Sequence, residues 1–133
     1  MPDEVRSLLT NPIHLGLGAT AVPQPEFTGM DWYAAYGMRH AEDGAEGRLV
    51  SLHRFTASWD SWEMHPYGAE VVVCISGAMT LTQELPDGAI RSVTLGPGDY
   101  AINPAGVWHT ADIAGEASGL FITAGQGTHG RPR

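Results

Sequence analysis

Lysine is absent from this chain, and cysteine occurs only once, as Cys74. Because all seven basic residues are arginine, Schiff-base catalysis, a lysine general base and a phosphate-binding P-loop are excluded. A single cysteine cannot form a disulfide within the chain or build a thiolate metal cluster, and we interpret it as a small buried apolar residue. Any metal site must therefore be built from histidine, carboxylate and water.

Basic charge is also scarce. Fifteen acidic residues against seven basic ones give a net charge of -8, which argues against proteins that bind nucleic acids or anionic membranes through a basic face. The longest strongly apolar run, residues 71–75, is too short to span a bilayer. The sequence does not open with the basic and then apolar segment that is typical of a signal peptide. We therefore expect a cytoplasmic protein.

No long stretch of the sequence keeps the periodicity of a helix, because 17 glycines and nine prolines divide it into short pieces. Only residues 4–9 suggest a helical turn, and residues 10–30 suggest an extended arm. From residue 31 onward, strand-like segments recur every eight to twelve residues, beginning with an aromatic-rich strand at residues 31–40. This pattern predicts an all-β sandwich or barrel.

We divide the 133 residues into one barrel with two extensions, since the length suits a single domain. Residues 1–47 are predicted to be an N-terminal arm and first hairpin strand that pack on the barrel. Residues 48–125 are predicted to form the barrel, and residues 126–133 an exposed C-terminal tail that could reach a partner subunit.

Two segments bring acidic residues and histidines together. Glu63 and His65 are two residues apart in a predicted strand, so their side chains point to the same side about 7 Å apart. Glu70 opens the next strand, after a turn that can fold its carboxylate back beside them. In a second segment, a turn containing proline and glycine places His109 at the start of another strand.

The first segment resembles the first motif of the cupin superfamily. His65 matches the second histidine of that motif, Glu70 its glutamate after four residues, and Gly77 its closing glycine after six more. Two positions depart from the motif, because Ala57 stands at the opening glycine and Glu63 at the first histidine.

The second segment resembles the second cupin motif. Gly98, Pro104, Gly106 and His109 match it, and Ile113 replaces its final asparagine. Seven of the ten positions of the two motifs therefore agree in order and spacing. The resemblance covers about residues 48–125 and implies a double-stranded β-helix, which is a small jelly-roll barrel of the sugar-epimerase type, with an extended N-terminal arm.

The resemblance also implies one divalent metal ion. His65, Glu70 and His109 stand at three ligand positions of the family, and Glu63 occupies the fourth. Imidazole and carboxylate suit iron, manganese, nickel or zinc. Glu63 has a second interpretation, as a catalytic acid or base beside bound water, and the sequence leaves both open.

Other aromatic and histidine side chains are interpreted by their position. Trp59, Trp62, Tyr67 and Trp108 surround the two motifs and are candidates for the lining of an apolar pocket. We expect His53 to be exposed on the barrel wall rather than to line a cavity. Three further histidines are expected at the surface: His14, His40 and His129.

These features favour a metal-dependent enzyme of the dioxygenase type that acts on a small oxygenated organic molecule. Two alternatives remain open, namely a non-catalytic module that binds or senses a small molecule and a metal-free isomerase or epimerase. We expect a small-molecule ligand or substrate, no nucleic-acid or membrane partner, and a homodimer, because many cupins pair through their sheets and the long arm must cover something.

Overall fold

The computed structural model describes residues 4–133 and shows a mostly antiparallel β structure with one α-helix in that range. The strands are β1 (Ile13–Gly16), β2 (Thr20–Pro23), β3 (Arg48–Phe55), β4 (Ser61–Met64), β5 (Glu70–Glu84), β6 (Ile90–Leu95), β7 (Tyr100–Asn103), β8 (Trp108–Thr123) and β9 (His129–Pro132), with α1 (Met30–Arg39) between β2 and β3. Two 3-10 segments, Leu17–Ala19 and Ala41–Glu46, flank β2 and α1. The all-β prediction is confirmed. No helix within residues 4–133 is long and apolar enough to cross a membrane.

The two longest strands, β5 and β8, form the centre of the structure. They pair antiparallel over most of their length, β6 and β7 also pair with β5, and β3 and β4 also pair with β8. Alternate residues of β5 are buried, as the period of two in a strand requires. Val72, Cys74, Met79 and Leu81 thereby pack against Phe121 of β8 in the core, and the burial predicted for Cys74 is confirmed.

The Ser76-Gly77 step bends β5 and does not end it. The residues before and after this step belong to one strand, with register shifts on both sides of the step. Gly77 has φ +72°, and a Cβ atom there would lie 2.1 Å from the backbone oxygen of Glu116. Only glycine fits this bulge. The closing glycine of the first motif thus lets β5 bend and pair with β7 before the step and with β6 after it.

The strand predicted for residues 31–40 is wrong, because this segment is the helix α1. Aromatic enrichment favoured a strand, but Trp32 and Tyr36 are four residues apart and their rings stack at 5.4 Å on one helical face. Asp31 in the first turn and Arg39 in the last turn complement the helix dipole. Trp32 is buried and its indole N–H donates to the Pro25 carbonyl at 3.1 Å, which fixes the helix on the arm.

Both extensions pair with the barrel of the same chain. β1 pairs with β3, so the arm covers its own barrel. Residues 126–133 are largely exposed, as predicted, but they do not form an unpaired tail, since β9 pairs with β4. Arg131 lies over the rings of Trp62 and Trp108, with centroid distances of 5.1 and 4.5 Å, and also forms an ion pair with Glu84. These contacts hold the end of the chain beside the site described next.

Candidate metal centre

The barrel brings the four predicted site residues together at one end. Glu63 on β4 is the register partner of His109 on β8. The ligating atoms of Glu63, His65 and His109 all lie within 4.8 Å of one another. The Glu70 carboxylate lies against both imidazoles, with Oε2 at 3.3 Å from His65 Nε2 and Oε1 at 3.1 Å from His109 Nε2.

The protonation of both imidazoles follows from their outer contacts. His109 Nδ1 lies 3.2 Å from the Val107 carbonyl, which can only accept, so Nδ1 carries the proton. His65 Nδ1 lies 2.8 Å from the Thr128 hydroxyl, which itself donates to the Gly125 carbonyl at 2.7 Å. His65 Nδ1 is therefore also the donor. In the neutral imidazoles, both Nε2 atoms keep a lone pair directed at the site.

These two Nε2 atoms show that a cation fits here. Both are buried and have no hydrogen-bond partner within the described residues, although buried polar atoms are normally paired. Two lone pairs facing a carboxylate repel it, and a divalent cation between them would satisfy all three groups. Outer hydrogen bonds that hold each imidazole by its other nitrogen are typical of histidine ligands.

Glu70 is held rigidly in its ionised form. Asn103 Nδ2 donates to Oε1 at 3.0 Å, and the Thr123 hydroxyl donates to Oε2 at 2.6 Å. Burial alone raises the pKa of Glu70, but the adjacent imidazoles of His109 and His65 outweigh this effect and hold the pKa well below its usual range. Without a cation, burial lowers the pKa of His109, while Glu70 raises it by more, so that the net shift is upward.

Glu63 differs from Glu70 in its surroundings. It is half-buried on the wall of the cavity, and no side chain within residues 4–133 donates a hydrogen bond to its carboxylate. Burial, followed by the negative charge of Glu70, raises the pKa of Glu63, and His65 and His109 oppose this shift. Glu63 is therefore the one carboxylate of the group that is free to change protonation or position.

The sequence analysis missed the residues that hold the site from behind. Asn103 accepts from the side chain of Gln83 at 2.8 Å while donating to Glu70. Thr123 and Thr128 contact Glu70 and His65. Asn103 lies inside the second motif segment, and its alternation in β7 could have indicated a buried face. Thr128 gave no signal, because its segment was interpreted as an exposed tail.

A cavity of about 780 Å³ opens onto this centre. Its wall includes Glu63, His65 and Glu70, and its apolar part is largely aromatic. The aromatic side chains are Phe27, Tyr33, Tyr36, Phe55, Trp59 and Phe121. The cavity is therefore polar at the histidines and glutamates and apolar over much of the rest, as small-molecule sites commonly are.

The expectations for the surrounding aromatic residues are only partly correct. Trp59 lies on the cavity wall as predicted. Trp62 and Trp108 instead contact Arg131, and Tyr67 is 64% exposed.

Two histidines lie elsewhere than expected. His53 lines the cavity and packs edge-on against Phe27, with ring centroids 5.2 Å apart, so its expected exposure on the barrel wall is wrong. His14, expected at the surface, is only 2% exposed, because β1 and α1 enclose it. Neither position could be inferred while α1 was interpreted as a strand.

Comparison with known proteins identifies the family. The chain matches the cupin domain over residues 56–125, which is more than half of its length and includes all four residues of the centre. The chain belongs to the cupin family. The resemblance of the two motifs to cupins, and the jelly-roll barrel that it implied, are thereby confirmed.

Solved structures show how far the likeness of this cupin extends. An oxalate oxidase is 16% identical, with 61% of this chain and 44% of that chain covered and a TM-score of 0.54. The Bacillus subtilis oxalate decarboxylase, described with Mn(II) centres, is 17% identical over 72% of this chain and 26% of that one, with a TM-score of 0.54. This cupin thus spans less than half of either enzyme, and the likeness shows the fold alone.

Protein NMB1881 from Neisseria meningitidis is 25% identical, over 58% of this chain and 73% of that one, with a TM-score of 0.47. No curated protein matches the chain. The chemistry of this cupin must therefore be argued from its own residues.

Proposed function

We propose that this cupin is a metal-dependent enzyme of the dioxygenase type that acts on a small oxygenated organic molecule. The observation that carries the proposal is the pair of buried, unpartnered Nε2 atoms of His65 and His109, which face the Glu70 carboxylate at the end of an aromatic cavity. A site built only to hold imidazoles in a core would pair these atoms with a hydrogen-bond partner.

The ligand set would be His65, Glu70, His109 and Glu63. Two imidazoles and a carboxylate with open positions suit iron, and the same donors suit manganese, nickel or zinc. Glu63 and Glu70 together carry two negative charges and would balance a divalent cation. When bound, the ion would supply Lewis-acid polarisation of a substrate oxygen or activation of dioxygen.

The protein residues would keep this centre in one geometry. Thr128 and the Val107 carbonyl hold the two imidazoles in the tautomer that presents Nε2, and Asn103 and Thr123 fix the orientation of Glu70. Such outer contacts set ligand orientation and affinity. Glu63 lacks this support, so the same carboxylate can serve as the fourth ligand or hold and release a proton beside the substrate.

The cavity wall indicates the substrate class. Phe27, Phe55, Trp59 and Phe121 offer ring surfaces that exclude water, and the oxygen-binding groups lie at the end formed by Glu63 and the histidines. A molecule with a flat or apolar body and one or more oxygen substituents would place its oxygens at the centre. Diols, diketones and phenols are the first substrates to test.

Metal analysis of the purified protein tests the proposal. We expect one divalent ion per chain, its loss in His109→Gln and His65→Gln, and its retention in the control His129→Gln, which changes an exposed histidine. Oxygen consumption is then measured with the panel of diols, diketones and phenols. Much less than one metal per chain after mild purification would overturn the proposal and favour a metal-free isomerase. Bound metal without oxygen consumption would favour a binding module.

Glu63→Gln separates the two roles of Glu63. If Glu63 is a ligand, the Mn²⁺-loaded variant binds the ion more weakly and its electron paramagnetic resonance spectrum changes. If Glu63 is the acid or base, affinity and spectrum stay close to those of the parent protein while turnover falls. His53→Gln is the matched control for metal affinity and the resonance spectrum, because His53 lines the same cavity and is not part of the ligand set.

A further inference from the structure

A second polar cluster lies on the cavity wall, built by the arm, α1 and the segment after α1. It consists of His14 on β1, Tyr36 on α1 and Asp43 in the following 3-10 segment. His14 Nε2 lies 2.6 Å from Asp43 Oδ2, and His14 Nδ1 lies 2.6 Å from the Tyr36 hydroxyl. Both His14 and Tyr36 line the cavity that opens onto the metal centre.

The direction of each hydrogen bond in this cluster follows from the Asp43 carboxylate, which lies at one end. With Asp43 ionised and His14 neutral, the carboxylate can only accept, so the His14 proton lies on Nε2 and Nδ1 keeps a lone pair. Tyr36 must then donate its hydroxyl proton to Nδ1. The order is tyrosine to histidine to carboxylate, the arrangement in which a base activates a hydroxyl and a third group orients the base.

Close packing fixes the histidine in this arrangement. The His40 ring stacks on His14, with centroids 3.8 Å apart and planes at 17°. A Cβ atom at Gly47 would lie 2.9 Å from His14 Cε1, and one at Gly16 would lie 2.7 Å from Asp43 Oδ2. A side chain at Gly16 or Gly47 would therefore enter the space that Asp43 and His14 occupy, so both positions need glycine.

The geometry favours a hydrogen-bonded group over a second metal site. His14, His40 and Asp43 present ligating atoms within 4.8 Å of one another, which a cation could use. However, two ligands at about 2.0–2.1 Å from one tetrahedral ion are more than about 3 Å apart, and His14 Nε2 and Asp43 Oδ2 are at hydrogen-bond distance. His40 also lies flat on His14 and does not meet it edge to edge.

We propose that Tyr36, His14 and Asp43 form an acid–base triad that binds a hydroxyl or carbonyl oxygen of the molecule in the cavity and exchanges a proton with it. Tyr36 is the catalytic residue of the three, and His14 and Asp43 are its positioning residues. The proposal deepens the proposed function, because it gives the substrate a second oxygen-binding point, but the triad itself needs no metal.

The proton balance of the triad is closed. When a substrate hydroxyl gives its proton to the Tyr36 oxygen, the Tyr36 proton moves to His14 Nδ1, and the resulting imidazolium is stabilised by Asp43. The reverse sequence delivers a proton from Tyr36 to a substrate oxygen that has gained negative charge. No oxidant or reductant is needed, and the triad returns to its starting state after one exchange in each direction.

The state of Tyr36 supports the role of a neutral donor. Burial, followed by the negative charge of Asp43, raises the pKa of Tyr36 to about 12, while Arg39 opposes the shift. The hydroxyl therefore keeps its proton at neutral pH in the resting protein.

The test uses the ring nitrogens of His14 and two probes of similar shape. In nitrogen-15 spectra of the full chain, we expect His14 with a protonated Nε2 and a bare Nδ1 that accepts from Tyr36. Phenol should then bind and shift the His14 signals, whereas toluene should bind without doing so. Tyr36→Phe should weaken phenol binding about tenfold, equivalent to one hydrogen bond, and leave toluene binding unchanged.

Three controls keep the outcome decisive. Tyr67→Phe, at an exposed tyrosine, should leave both probes unaffected, and Asp43→Asn should change the His14 tautomer without requiring Tyr36 to be altered. Equal losses of phenol and toluene affinity in Tyr36→Phe would overturn the triad, as would a second metal equivalent that disappears in Asp43→Asn. The metal content of Tyr36→Phe should stay at one per chain, so failure of the triad and failure of the metal centre are distinguishable.

Discussion

Asn103 donates a hydrogen bond of 3.0 Å to the carboxylate of Glu70, and these two buried residues are register partners across β7 and β5. The opposite end of the Asn103 amide accepts from Gln83, so its orientation is fixed. Glu70 is thereby aimed at His65 and His109 by a residue that hydrogen-bonds to neither imidazole. The strand pairing that closes the barrel also sets the geometry of the candidate metal centre.

Replacement of Asn103 by alanine should weaken metal binding by about 10-fold to 100-fold, the usual effect of losing an outer contact to a ligand. The reason is that Glu70 loses one donor and Gln83 loses one of its two acceptors, so the carboxylate can rotate away from the imidazoles. Competition with a chelator of known affinity measures the change. Ser92→Ala, at an exposed strand position, is the control, and an equal loss in that variant would contradict the assignment.

Thr128→Val should also weaken metal binding, because valine cannot accept the proton of His65 Nδ1. The two side chains have similar shape, so the loss isolates one hydrogen bond. Thr128→Ser keeps the hydroxyl and should restore most of the affinity. If the valine variant binds the ion as well as the parent protein does, residues 126–133 contribute nothing to the site beyond covering it.

Gly77→Ala should lower the free energy of unfolding by more than about 3 kcal/mol, which places it among the most damaging single substitutions. The added Cβ atom meets the Glu116 oxygen at 2.1 Å, and φ is +72°. Gly115→Ala is the matched control, since Gly115 has φ +83° but open space around it. Gly115→Ala should lower the free energy of unfolding by only about 1–2 kcal/mol, the cost of holding an alanine at positive φ. Urea unfolding measures both, and equal losses would exclude the steric explanation.

The two motifs were sufficient to predict the barrel and to place Glu63, His65, Glu70 and His109 together, because side-chain alternation and motif spacing are local properties of the sequence. Whether these four bind a metal stays a prediction. The sequence did not reveal α1, because its aromatic residues suit both a strand and a helix. The contact between Trp32 of α1 and Pro25 of the arm left no local pattern in the sequence.

Because α1 was interpreted as a strand, the sequence did not predict the side chains that surround the site. Tyr36 and Asp43 reach His14 only because α1 and the segment after it fold over β1. Thr128 reaches His65 across 63 positions of sequence, a contact that depends on β9 pairing with β4. Tertiary pairings of this kind leave no local pattern, so the outer contacts of the site were harder to predict than the residues at its centre.

Tyr33 should report on the charge of the candidate metal centre. Burial, followed by the negative charges of Glu63 and Glu70, raises the pKa of Tyr33 to about 12. In protein stripped of metal by a chelator, Glu63→Gln should therefore lower this pKa. Tyrosinate absorbance measures it, with Tyr33→Phe subtracted to isolate one residue. Glu46→Gln, at an exposed carboxylate outside the charges that act on Tyr33, should leave the titration unchanged.

The same shift fixes the sign of a stability change. An unfolded chain ionises tyrosine near pH 10, whereas folded Tyr33 keeps its proton until about 12. The folded state thus binds more protons in this window, and the contribution of Tyr33 to stability is complete below pH 10 and is lost as the pH rises toward 12. Urea unfolding at pH 9 and pH 11 should show a smaller decrease for Tyr33→Phe than for the parent protein. An equal decrease in both would mean that Tyr33 is not held neutral by the site.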